Sequence, residues 1–273
     1  MPELPEVETI RRDMEPYVLG RAIKAVKALR ARNVLKGISA KGLQKALKGQ
    51  KIEKVERRGK FLIFKLASGN CLVIHLGMTG RVLKAPDRFV KVTFMLSGGR
   101  SFYFSDIRMF GKVMFFRSYP TFKLGPEPLA PHQMVPGQAD DFTVTRFAEL
   151  LKGRGGNIKA WLLNQRFLAG VGNIYASEAL FRAGIAPRRR AGSLNPQEIL
   201  KLHRALRRVL SEGIKYRGTS VSDYRDAGGR VGGYQHRLRV YDREGKRCYK
   251  CKGPVKKIII GQRSTYFCPR CQR

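Results

Sequence analysis

Four cysteines near the C-terminal end, Cys248, Cys251, Cys268 and Cys271, constrain this chain more than any other pattern in it. Each Cys-x-x-Cys forms a knuckle that presents two thiolates to one metal, and two knuckles complete a tetrahedral zinc site. The pattern therefore predicts one structural Zn2+ organising a zinc-finger β-hairpin over residues 234–273. Two disulfides are the alternative pairing. They fit poorly, because nothing indicates export and paired knuckles rarely serve as oxidised staples. The remaining cysteine, Cys71, opens the apolar run Cys71-Leu72-Val73-Ile74 and reads as a buried small hydrophobe.

With 273 residues, the chain has room for more than one modest core. Its charge is the unusual quantity: 55 Lys+Arg against 20 Asp+Glu leave +35. Such an excess calls for a polyanion, and nucleic acid is the usual one. An anionic membrane competes poorly, since no long basic amphipathic helix and no apolar run of spanning length is present. The acidic start argues against a secretory signal, so a cytoplasmic, nucleoid-associated protein is expected. Composition alone does not choose between DNA and RNA.

Val7, Ile10, Met14 and Val18 recur at helical spacing with Gly20 as a stop, which predicts an amphipathic first helix. Ser39 to Gly49 predicts a second, short one. Then the pattern turns to strands: Phe61 to Leu66 and Cys71 to Leu76 flank Ser68-Gly69-Asn70, while Lys91 to Leu96 and Ser101 to Phe104 flank Gly98-Gly99. Consecutive hairpins imply an antiparallel β-sandwich with the N-terminal helix against it, over residues 1–118. Five prolines between Tyr119 and Ala139 mark a linker, 119–141. Helical patterns follow over Val144 to Leu151, Ile158 to Leu163, Ile174 to Ala183 and Pro196 to Leu210, giving a helical domain over 142–233. A hairpin around Leu238 to Tyr241 is expected to lead into the zinc module. The fold class is α+β.

Several local patterns could carry chemistry. Aminopeptidases clip Met before a small residue, so the chain is expected to begin Pro2-Glu3. A terminal amine titrates near ~8 against ~10.4 for lysine, so more of it is an uncharged nucleophile at neutral pH. Attack by this secondary amine on an aldehyde-level carbon would give an iminium, an electron sink for further bond cleavage. Locally, a simple helix start explains the same residues, with Glu3, Glu6 and Glu8 complementing the dipole. Gly170-Val171-Gly172-Asn173 precedes a helix start where free N–H groups could meet a phosphate, and Asn173 could equally be a plain cap. Arg57-Arg58-Gly59-Lys60 leads into a strand and could hold Lys60 over a phosphate, though a solvated basic edge is the favoured local reading. In Asp106 to Gly111, Arg108 and Phe110 share a side if extended, suiting an arginine that reads an orphaned base beside a wedging ring. Met78, between Gly77 and Gly80, could be another wedge, and core packing competes for all three.

Taken together, these stretches resemble the bacterial formamidopyrimidine-DNA glycosylase family, which excises 8-oxoguanine and ring-opened purines. The resemblance runs in order through Pro2 to Thr9, Arg57 to Lys60, His75 to Gly80, Asp106 to Gly111, Leu124 to Leu129, Gly170 to Glu178 and the zinc stretch with Arg263-Ser264-Thr265. It implies a C-terminal helix–two-turns–helix domain ahead of the zinc β-hairpin. It implies a glycosylase and AP lyase in which Pro2 attacks C1′, Glu3 acts as the nearby acid, Lys60 serves β-elimination and Arg263 serves δ-elimination. A guanidinium essentially never gives up its proton, so for Arg263 a clamp on the scissile phosphate is the easier role. The resemblance further implies DNA contacts by Glu6, Met78, Lys91, Arg108, Phe110, Arg154, Lys159 and Asn173. Lys91 stands where many members carry histidine, and Arg154 lies in a Gly-rich stretch. Glycines near Ala227-Gly228-Gly229 fall where the family has a base-capping loop. The implied partner is double-stranded DNA with oxidised purines or abasic sites, bound by a monomer with no membrane role.

Two rivals remain at this point. The sister endonuclease-eight-like group uses the same proline on oxidised pyrimidines, and Leu4 with the Met78, Arg108 and Phe110 set favours the purine enzyme. A non-catalytic zinc protein that binds nucleic acid through charge fits the composition equally well, but leaves the terminal Pro-Glu unexplained.

Overall fold

A computed structural model describes residues 1–29, 31–129 and 142–273. The chain divides into two compact units, Met1–Phe122 with Ile214–Gln235, and Lys123–Gly213 with His236–Arg273. Residues 214–235 thus belong with the N-terminal unit, whereas the sequence pattern places 142–233 in one helical domain. Of the expected 119–141 linker, residues 130–141 lie outside the described residues, and 119–129 form no helix or strand.

The first unit opens with α1 (Leu4–Val18), whose Val7, Ile10, Met14 and Val18 are all fully buried, as their spacing predicts. Ser39 caps α2 (Ala40–Leu47), accepting a hydrogen bond from the Gly42 N–H, and the helix buries Leu43 and Leu47. Two sheets follow among the described residues. One is antiparallel in the order β1 (Ile23–Ala28), β7 (Val90–Leu96), β8 (Ser101–Asp106), β6 (Gly80–Leu83). The other runs β2 (Leu35–Lys36), β9 (Lys112–Phe116), β5 (Cys71–His75), β4 (Phe61–Leu66), β3 (Ile52–Arg58). Its pairs are antiparallel except β2 with β9, a two-residue parallel pairing that hairpin reasoning could not supply.

Phe64 of β4 and Phe102 of β8 stack at 5.2 Å between ring centres, and Phe94 of β7 stacks on Phe102 at 4.4 Å. Inner residues of both sheets and the apolar stripe of α1 share one core, the sandwich expected from the sequence. Cys71 is fully buried, and burial pushes its thiol up to about 11, which suits an inert core residue.

The second unit carries α3 (Val144–Leu151), α4 (Ile158–Leu163), α5 (Asn173–Ala183) and α6 (Pro196–Lys215). Thr143 and Asn157 cap α3 and α4 by accepting N–H bonds from Arg146 and Ala160. Residues 164–172 make the turns between α4 and α5. The Gln165 side chain braces them, accepting from the Gly170 N–H at 2.8 Å and donating to the Val171 carbonyl at 2.8 Å.

The hairpin expected at Leu238 to Tyr241 does not form. The backbone N–H groups of Arg239, Val240 and Tyr241 all donate to the buried carboxylate of Glu178 on α5, so none is available for a strand ladder. The hairpin instead lies inside the zinc module: β10 (Lys256–Ile260) pairs with β11 (Arg263–Phe267) through a turn whose Gly261 and Gln262 both have positive φ.

Candidate functional site

The N-terminus enters α1 through buried residues. Pro2 and Glu3 are buried, and the Glu3 N–H donates to the Glu6 carboxylate at 2.7 Å, closing a capping box. Glu6 also accepts from the Thr219 N–H at 2.8 Å, which ties the helix start to the 214–235 segment. Glu6 is 1 % exposed, so its carboxylate organises this backbone and does not stand on an open DNA-facing surface. With Met1 present the Pro2 nitrogen is an amide. The Met1 amine is lowered below its ordinary range, chiefly by burial and further by Lys60, against the pull of Glu3, Glu6 and Asp223. A freed Pro2 amine would inherit these surroundings, which favour the neutral nucleophile.

Lys60 ends the turn between β3 and β4 and is 6 % exposed. The basic run is therefore not the solvated edge that local reasoning favours. Arg57, 4 % exposed, donates to Glu8 of α1 at 3.0 Å and to the Gly59 carbonyl at 3.2 Å, fixing the turn that carries Lys60. Glu8 also takes Arg11 and Arg12. Burial opposes its charge, but Arg57, Arg11 and Arg12 overcome this and hold its pKa at about 2. His75, across from Phe61 in the ladder, is pushed down to about 4 by burial and by Lys60 and Lys112, so it stays neutral. Its Nδ1 accepts from the Gly77 N–H. Glu8 and His75 are not among the expected site residues; only the alternation of charge with apolar side chains could have hinted at them.

Met78, Arg108 and Phe110 come from two loops held by one buried residue. Asp106, fully buried, accepts from the Thr79 hydroxyl at 2.5 Å, the Arg108 N–H at 3.2 Å and the Gly111 N–H at 2.7 Å. Gly77 lies so close to the second loop that a Cβ there would meet the Phe110 backbone at 2.6 Å. The Arg108 to Phe110 stretch is not extended, since Met109 adopts φ of 56°. The pair nevertheless meets: the Arg108 guanidinium lies over the Phe110 ring at 5.3 Å. Arg108 is exposed, Phe110 is 55 % exposed and Met78 is half-buried, so none is consumed by the core. Lys91 is half-buried at the irregularity where β7 shifts register against β8.

In the second unit Asn173 does not cap α5. Gly172 is the cap, and Asn173 is the first helical residue, its amide donating to the Ser264 carbonyl of β11 at 2.8 Å. Asn173 Oδ1 is buried without a partner among the described residues. Lys159 departs from a surface phosphate contact: it is 0 % exposed, and its Nζ donates to the Asn173 carbonyl at 2.9 Å and to the Ser177 hydroxyl at 2.5 Å. It steadies the first turn of α5 from within, a role for Ser177 that no local pattern announces. Arg154 is exposed and stacks on Phe167 at 5.0 Å. Arg263 is exposed at the start of β11, opposite Ile260.

The four knuckle cysteines bring their Sγ atoms within 4.8 Å of one another. The Cys248–Cys271 and Cys251–Cys268 separations are 3.9 and 3.4 Å. A disulfide needs ~2.05 Å, whereas a tetrahedron with Zn–S bonds of ~2.3 Å has edges near ~3.8 Å. The donor set fits a structural zinc.

Residues 1–113 match the formamidopyrimidine-DNA glycosylase N-terminal domain, 124–225 its H2TH domain, and 245–273 the zinc finger found in FPG and IleRS. The formamidopyrimidine-DNA glycosylase of Desulfitobacterium hafniense is 42 % identical over 283 residues, covering all of both chains. The crystal structure of the MutM (FPG) protein of Thermus thermophilus superposes with a TM-score of 0.88 at 42 % identity, over 99 % of this chain and 98 % of that one. A Lactococcus lactis Fpg complexed with DNA containing an abasic site gives 0.87 at 34 % identity, over 99 % of each.

Proposed function

The chain belongs to the formamidopyrimidine-DNA glycosylase family, and from that premise we propose how its own residues perform the family's work, the excision of oxidised purines from DNA with cleavage of the resulting abasic site. Once Met1 is removed, the Pro2 nitrogen attacks C1′ of the damaged nucleoside and the base departs with the glycosidic electron pair. Glu3 protonates the sugar-ring oxygen as the ring opens, leaving a cationic iminium between Pro2 and C1′. The iminium acidifies C2′; loss of that proton, served by Lys60, expels the 3′ phosphate, and a second elimination releases the 5′ phosphate. Arg263 stabilises charge on the departing phosphate as a fork of fixed N–H donors.

The observation that carries this reading is the start of α1. Pro2 and Glu3 are buried beside Lys60, in surroundings that lower a terminal amine. A plain helix start has no need of those surroundings. Met78, Arg108 and Phe110 fill the gap left by the everted nucleotide, with Arg108 donating to the orphaned base. Lys91, Arg154, Asn173 and the exposed basic surface meet phosphates. Lys159 and Glu6 contribute by holding Asn173 and Glu3. The zinc is held by Cys248, Cys251, Cys268 and Cys271 and shapes the hairpin that presents Arg263. We propose that the substrate is duplex DNA met by a monomer in the nucleoid; no helix among the described residues is long and apolar enough to cross a membrane.

Cleavage of an 8-oxoguanine duplex tests the assignment. Wild-type protein is expected to leave phosphate on both sides of a one-nucleotide gap, and Pro2→Gly to leave the strand intact. A Pro2→Gly protein that cuts at the wild-type rate rejects the proline mechanism. Preferred excision of an oxidised pyrimidine over 8-oxoguanine would favour the endonuclease-eight-like rival.

A further inference from the structure

The segment after α6 is fastened by a chain of charges that the catalytic reading does not use. Arg217 stands in the left-handed region, φ 59°, which disfavours any residue with a β-carbon. Its guanidinium donates to Asp13 of α1 at 2.5 Å and to Asp226 at 2.6 and 3.0 Å. Asp226, 1 % exposed, also accepts from the N–H groups of Gly228 and Arg230, each at 2.9 Å, and from the Arg230 side chain at 3.2 Å. The two ends of the segment close on each other through Gly233 N–H to Tyr216 O at 2.7 Å and Tyr234 N–H to Gly218 O at 3.0 Å. Its middle is tied to the β6 side by Lys84 N–H to Ala227 O and Arg81 to Asp223 O, both at 2.9 Å.

Immediately after Arg217 the chain reaches the reaction centre. A Cβ on Gly218 would stand 2.9 Å from Cγ of Glu6, and Thr219 N–H donates to Glu6, which accepts from Glu3 N–H. The order Asp13, Arg217, Thr219, Glu6, Glu3 is thus a continuous relay from a partly exposed ion pair to the residue beside Pro2. A glycine at 217 would hold the same backbone without strain, so the arginine is present for its side chain.

We propose that Arg217, clamped between Asp13 and Asp226, is a positioning residue for base excision, holding residues 218–233 so that Thr219 fixes Glu6 and, through it, Glu3. The inference rests on the proposed function, in which Glu3 protonates the sugar-ring oxygen as Pro2 displaces the base. DNA binding and elimination at a pre-formed abasic site depend less on Glu3, because the hemiacetal of an abasic site opens to its aldehyde without an enzyme acid and no base has to be displaced.

Arg217→Gly removes the clamp while relieving the backbone, and Asp13→Asn weakens it from the other side. Single-turnover excision of 8-oxoguanine, cleavage of a pre-formed abasic duplex, and Kd for that duplex are measured for both variants and Arg217→Lys. Excision is expected to slow roughly tenfold in Arg217→Gly, the scale of a small misplacement of catalytic groups, and less in Asp13→Asn. Arg217→Lys should recover part of the loss, with abasic cleavage and Kd changing by about twofold or less in all three. Hydrogen exchange at the Thr219 amide should quicken in Arg217→Gly. Unchanged excision by Arg217→Gly overturns the proposal while leaving the glycosylase reading intact. Equal losses in excision, abasic cleavage and thermal stability overturn it too, by showing a merely structural role. Failure of the wild type itself to excise 8-oxoguanine strikes instead at the reading it rests on.

Discussion

The β3–β4 turn and the β10–β11 hairpin each present a cation proposed to serve elimination, and they hold it by opposite means. Lys60 is 6 % exposed, on a turn braced by the buried Arg57–Glu8 pair and packed over the large core of the first unit. Arg263 stands in solvent on a short hairpin, beside a small cluster in which Phe181 of α5, Val240, Val255 and Tyr266 of β11 pack with the cysteines. A core of that size cannot fix a side chain, so the metal has to. The first region is placed by electrostatics in a dry interior and the second by ligand bonds. Each should therefore fail under a different insult.

The largest effect is expected at the hairpin. Cys268→Ser removes one of four thiolates, and structural zinc in small modules contributes about 10–16 kcal/mol to folding. Loss of zinc and unfolding of residues 246–273 should follow, with the first unit still cooperative in thermal melts. A zinc-free protein with an ordered hairpin by hydrogen exchange would break the contrast.

The converse insult is acid or loss of Glu8. Its folded pKa of about 2 lies below the ordinary value of 4.5, so its contribution is complete above about 4.5 and is lost as pH falls through 2. The shift corresponds to about 3 kcal/mol. His75 acts in the same direction, because the unfolded chain takes up its proton near 6.5 and the folded one only near 4. Glu8→Gln takes the Glu8 carboxylate away from the buried Arg57 guanidinium, so a cost of about 3–5 kcal/mol is expected at pH 7. The variant should also show a flatter acid limb in denaturant titrations, with its zinc content unchanged. Equal stability of variant and wild type at pH 7 would mean that the pair does not brace the turn.

These two regions are unequally legible in the sequence. Metal spacing is local and chemically strict, so the zinc site follows from four residues. Helices α3 and α4 are legible to the residue because Thr143 and Asn157 cap them just before apolar periodicity begins. β3 escapes notice because Glu53, Lys54, Glu56, Arg57 and Arg58 make it read as a charged loop, although Ile52 and Val55 face the core. The burial of Arg57 and Lys60 depends on Glu8 arriving from another element, which no local pattern reveals. The same holds for Glu178, which captures three N–H groups and suppresses the hairpin expected near Leu238. Asn173 resembles a cap because Gly172, which caps α5, has no side chain to announce it.

A smaller effect tests a third kind of support, the loop pair organised by Asp106. Adenine opposite the lesion presents a donor where the proposed Arg108 contact needs an acceptor, and a well-formed base contact is worth about 1–3 kcal/mol of discrimination. Arg108→Ala should lose preference for cytosine opposite 8-oxoguanine while still cleaving a pre-formed abasic site. Excision opposite all four bases checks this, and an unchanged order and spread would reduce Arg108 to a charged filler.

In the proposed mechanism Pro2 forms the bond to the sugar, and reduction with sodium borohydride during turnover captures that bond. Peptide mapping of the trapped protein–DNA adduct by mass spectrometry should place the sugar remnant on the amine of a chain that begins at Pro2, with protein retaining Met1 left untrapped. A remnant on Lys60, or trapping and cleavage at the full rate by protein that keeps Met1, would show that Pro2 is not the nucleophile.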